Sequence, residues 1–196
     1  MNSPITGLRR AVRFVALANL AYFGIEFAVA LRIGSVSLFA DSIDFLEDAC
    51  VNLLILMALG WTAQSRARVG MGLAAILLVP GLATLWMAWH KFSLPVPPAP
   101  LPLSVTGLGA LAVNVTCAFI LARHRHHGGS LSKAAFLSAR NDALANVAII
   151  GAGLATIYSA SAWPDLIVGI GIAIMNADAA REVWTAAKAE HLATKA

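Results

Sequence analysis

Residues 36–55 read VSLFADSIDFLEDACVNLLI, an apolar run interrupted by Asp41, Asp44, Glu47 and Asp48. On a helix, positions 41, 44 and 48 follow i, i+3 and i+7 spacing and share one face, while Glu47 points well away from that stripe. A carboxylate at the centre of a bilayer costs several kcal/mol, so acids in such a run are functional candidates. Like charges stacked on one face repel. Something must neutralise them: a metal, protons or arginine partners.

The rest of the chain supports a lipid setting. Of 196 residues, 59% are apolar and 12% charged, with a mean hydropathy of +0.77. Soluble domains run near half apolar and a quarter charged, so a water-soluble globule is excluded on composition. The net charge of +4 does not point to nucleic acid, because the basic residues flank apolar runs instead of forming a patch. Cys50 and Cys117 both lie in apolar stretches and make neither a disulfide framework nor a zinc motif.

Spanning about 30 Å of hydrocarbon takes roughly 20 helical residues. Stretches of that length fall at about 11–31, 37–61, 69–90, 102–122, 134–158 and 163–184. Each is apolar throughout, not alternating, which selects helices over a barrel. The first is too long for a signal sequence and contains Asn19 and Glu26, so it reads as a retained span. The expected fold is an all-α integral membrane protein, one domain over residues 1–196 with six transmembrane helices and no soluble domain. Arg9, Arg10, Arg13, Arg66, Arg68, Arg123, Arg125, Lys133, Arg181, Lys188 and Lys195 fall on one side of that arrangement, against Arg32 and Lys91 on the other. The positive-inside rule then makes both termini cytoplasmic, in the inner membrane if the source is bacterial. Trp61, Trp86, Trp89, Trp163 and Trp184 fall near span ends, as interfacial belts require. Residues 93–102, SLPVPPAPLP, predict a stiff non-helical loop, and Pro80 predicts a kink in the third span.

The fifth span adds SARNDALANVAII, with Asp142 as its carboxylate and Ser138 one turn earlier on the same face. Asn141 and Asn146 border that face. Asn in a membrane helix is commonly glue between helices, and Glu26 and Asn114 carry the same expectation. Arg140 lies nearly opposite Asp142 and has no assignable partner. His124, His126 and His127 form a tract that reads either as a metal collector or as a solvated topology signal.

SVSLFADSIDFLED (35–48), SLSKAAFLSARNDALANVAII (130–150) and WPDLIVGIGIAIM (163–175) together resemble the cation diffusion facilitator family of divalent-metal/proton antiporters. The likeness covers about residues 10–186. The family's Ala-Asp-x-x-His/Asp-x-x-x-Asp pattern is intact at Ala40, Asp41, Asp44 and Asp48. Its His/Asp-x-x-x-Asp pattern keeps Asp142 and has Ser138 at the histidine position. The resemblance implies that Asp44, Asp48 and Asp142 bind the ion, with Ser138 or Asn141 completing the shell, and Asp41 of the same pattern is a further candidate metal residue. It also implies a short form without the family's cytoplasmic domain, so a homodimer would rest on membrane helices.

The implied activity is proton-coupled export of a divalent cation, with no resident cofactor and no enzymatic reaction. Zn²⁺ is the family default, while an all-oxygen site also suits Mn²⁺, Fe²⁺ or Co²⁺. The competing reading is a membrane metal-binding subunit or sensor that does not transport. Expected partners are lipid and metal ions, not nucleic acid.

Overall fold

Gly34 and Ser35 separate two long apolar helices, and both residues are suited to the turn. Gly34 adopts a positive φ of 64°, a conformation costing a side-chain-bearing residue about 1–2 kcal/mol. Ser35 then caps the second helix, its Oγ accepting the backbone N–H of Leu38 at 3.1 Å. The computed structural model describes residues 4–58, 82–123 and 129–193, where all regular structure is helical. The helices are α1 (Pro4–Ile33), α2 (Val36–Ala58), α3 (residues 82–93), α4 (Pro100–Ala122), α5 (Gly129–Ser159) and α6 (Trp163–Ala193). Five of the six expected spans thus coincide with described helices, several running a turn or more beyond the hydrophobic window. The expected kink at Pro80 and much of the third span lie outside the described residues.

The proline-rich connection is shorter than expected. Residues 94–99 are non-helical, but Pro100 and Pro102 belong to α4, with proline in its first turn. Proline is tolerated there because the first helical N–H groups have no partner within the helix.

Among the described residues, three helical stretches are long and apolar enough to cross a membrane: Arg9–Ile33, Pro100–Ala122 and Asn141–Ser159. α2 carries its four carboxylates in the middle of an otherwise apolar sequence. Large apolar side chains cover the outside, among them Leu101, Phe119, Leu144 and Ile167, as lipid-facing helices require. Trp86, Trp89 and Trp163 are also exposed, where an aromatic belt would put them.

α4 packs most extensively on α5 and α1 on α2, with α6 resting against α2 and α5. The central cluster joins Ala30, Leu38, Phe39, Ile43, Leu103, Ile149 and Ile172, drawing on α1, α2, α4, α5 and α6. At the end of the bundle carrying the α1–α2 turn, Val36, Ala88, Ala162 and Leu166 bring α3 and α6 onto α2.

That end is held by one carboxylate. Asp165, in the first turn of α6, is fully buried. Its Oδ1 accepts from Ser35 Oγ (2.6 Å), Ser37 Oγ (2.6 Å) and the Ser37 N–H (3.1 Å). Its Oδ2 accepts from the Val36 N–H (2.9 Å) and Lys91 Nζ (2.8 Å). Lys91 also donates to the Gly34 carbonyl. Asp165 therefore caps α2 from another helix, satisfying N–H groups that α2 cannot satisfy itself. One turn along α6, Gly169 lies so close to the Val36–Ser37 backbone that an added Cβ would sit 2.7 Å from it. Glycine is what permits this approach.

Candidate metal-binding cleft

The carboxylates of α2 do not face lipid. A cleft of about 110 Å³ is lined by Asp44, Glu47 and Asp48 of α2, Asn141 and Asp142 of α5, and Met175 and Asn176 of α6. Asp44, Asp48, Asp142 and Asn141 thus border one space. α5 runs beside α2, so two acids one turn apart on α2 meet a single acid across the helix interface.

Two polar relays hold the α2 acids. Asn19 of α1 donates to Asp48 Oδ2 at 3.3 Å and is itself met by Cys117 Sγ of α4 at 3.7 Å. Asn146 of α5 donates to Asp41 Oδ2 at 2.5 Å, and Asn114 of α4 donates to Asn146 Oδ1 at 2.9 Å. Asn114 and Asn146 are therefore interhelical glue, as expected. Asp41 does not line the cleft. It is fully buried one turn along α2 and engaged by Asn146.

Glu26 differs from expectation. It is fully buried, and among the described residues neither of its carboxylate oxygens meets a hydrogen-bond partner, as is also true of Asp41 Oδ1.

Glu47 is a correction. It lines the cleft with the aspartates, although it lies off the 41–44–48 stripe. Asp41 shares the bearing of Asp48 around α2 but lies about two turns nearer the start of the helix, so its height and not its face keeps it out of the cleft. Glu47 is rotated only about 60° from Asp44 around the helix axis, and its longer side chain covers that offset. Asn176 was also missed. Its signal was present: a polar residue eleven positions, or about three turns, after Asp165 on the same face of α6.

Ser138 lies on α5 one turn before Asp142, but its side chain, that of Arg140 and the tract 124–127 are outside the described residues. Among the described residues, no group of three or more His, Cys, Asp or Glu side chains is arranged to hold a metal ion at once. The cleft's acids line a common space without closing on a point.

The family described as the cation efflux transmembrane domain matches residues 12–188. This chain belongs to the cation efflux family. No curated protein matches it. Membership makes it an integral membrane protein of a divalent metal cation transporter family, whose members are transporters and not enzymes. The cation efflux domain thus spans the helices that build the cleft, including α6, and buried acids between its helices are where a membrane protein handles cations.

Proposed function

We propose that this protein exports a divalent metal cation from the cytoplasm in exchange for protons, by alternating access around the α2–α5–α6 cleft. The observation that carries the reading is the gathering of Asp44 and Asp48 with Asp142 in one cleft. Two carboxylates one turn apart form half a clamp, and a carboxylate on a facing helix supplies the other half. Asn141, and Ser138 from the same stretch of α5, complete the shell. Asp41, engaged by Asn146, stands one turn beyond it.

In the proposed cycle the ionised acids take the cation from the cytoplasm. After reorientation, protons arriving from the other side compete for the same oxygens and release it. The pattern of basic residues supports six spans with cytoplasmic termini, and a homodimer would form through the membrane helices. Zn²⁺ is the family's default cargo. Oxygen donors without a histidine nitrogen admit Mn²⁺, Fe²⁺ and Co²⁺ as well.

Flux in proteoliposomes across Zn²⁺, Mn²⁺, Fe²⁺ and Co²⁺ under an imposed pH gradient tests this reading and ranks the ions. Binding without flux would replace it with a non-transporting metal-binding subunit.

A further inference from the structure

We infer that α6 supplies a ligand to the transported ion, the side-chain carbonyl of Asn176, and that this ligand biases the site toward Mn²⁺ over Zn²⁺. The inference rests on the reading of the cleft as the ion site. It adds a third helix to a site otherwise built from two.

The orientation of Asn176 is fixed by its neighbour. Its Nδ2 donates to the Ala40 carbonyl of α2 at 3.3 Å. A backbone carbonyl can only accept, so the amide nitrogen must face Ala40, and Oδ1 is the acceptor left for the cleft that Asn176 lines. The position of α6 is set independently. Asp165 is anchored on the first turn of α2, and Gly169 lets the two backbones touch. Asn176 lies on the same face of α6 about three turns from Asp165. The amide oxygen is therefore held in place before any ion arrives, which lowers the ordering cost of binding.

Two features of the cleft call for a neutral oxygen there. The acids do not by themselves close around a point, so a bound ion needs further donors. Four carboxylates also line the cleft, more negative charge than a divalent ion balances; an amide adds an oxygen without adding charge. Zn²⁺ is satisfied by four ligands in a tetrahedron, whereas an octahedral set of oxygens is the environment of Mn²⁺. A preplaced amide carries the donor number past four.

The test measures Mn²⁺ and Zn²⁺ affinity of the purified full chain by calorimetry, together with Co²⁺ absorption as a reporter of coordination number. Asn176→Leu keeps the branched outline and removes the ligating oxygen, Asn176→Gln keeps a neutral amide oxygen, and Asp48→Asn is the site control. Asn176→Leu is expected to weaken Mn²⁺ by about tenfold or more and Zn²⁺ by less than about threefold. It should also shift Co²⁺ from weak six-coordinate bands toward intense four-coordinate ones. Asn176→Gln should keep more Mn²⁺ affinity than Asn176→Leu. Mn²⁺ affinity within about twofold of the parent in Asn176→Leu, or Asn176→Gln as weak as Asn176→Leu, overturns the inference. A parent protein that binds no divalent ion, or an Asp48→Asn variant that binds as well as the parent, overturns the proposed function itself.

Discussion

Lys91 Nζ and Asp165 Oδ2 stand 2.8 Å apart, with side chains 7% and 0% exposed, and this buried ion pair joins α3 to α6 where both meet the α1–α2 turn. The pair is not symmetric. Asp165 gathers five donors from the α1–α2 turn, α2 and α3, whereas Lys91 donates to one carboxylate and one carbonyl.

Removing one member of a buried pair strands the other, at about 3–5 kcal/mol. Asp165→Ala should therefore lower the thermal midpoint in detergent markedly, and by more than Lys91→Met, because it also orphans the Val36 and Ser37 N–H groups. The Lys91→Met/Asp165→Ala double variant should fall short of the sum of the single losses. Equal losses from the two single variants would contradict the asymmetry.

Asp48→Ala and Asp142→Ala should each abolish metal flux while leaving the protein folded and in the membrane. In the parent protein, acid on the side where metal is released should speed flux, and reversing the pH gradient should slow it. Flux indifferent to the gradient would remove protons from the exchange.

Glu47→Gln tests a residue outside the family's acidic pattern. As an additional carboxylate on the cleft wall, Glu47 should raise the local concentration of cations and assist capture. Its loss should raise the metal KM by about threefold to tenfold, with little change in maximal flux. A loss as complete as that of Asp48→Ala would make Glu47 a ligand equal to the aspartates.

Glu26→Gln should raise the thermal midpoint. The substitution keeps the shape and replaces a carboxyl group buried without a hydrogen-bond partner by a neutral amide that cannot ionise there. A fall would show that the fold depends on the carboxyl group of Glu26.

Helix identity was legible because it follows from composition over 20-residue windows, a property independent of neighbouring helices. The match of α1, α4 and α5 to the hydrophobic runs follows directly. Asp44 and Asp48 were legible for the same reason, since the helical repeat alone places them on one side. The prolines at the start of α4 were misjudged because composition marks a loop without saying where the next helix begins.

The rest depended on which helix stands beside which. The repeat of α2 puts Glu47 off the stripe, but the seating of α6 decides that the cleft opens on that flank. Asp41 belongs to the stripe by spacing, yet it lies a turn away from the cleft and is engaged by Asn146. Asp165 and Lys91 are 74 residues apart, and no local rule pairs them. Local sequence determined the helices and the face of α2 that carries its aspartates, because backbone hydrogen bonding and burial of apolar surface act within one segment. Only tertiary packing chose the partners of those charges, because electrostatic and ligating contacts depend on distances between segments that the helical repeat does not specify.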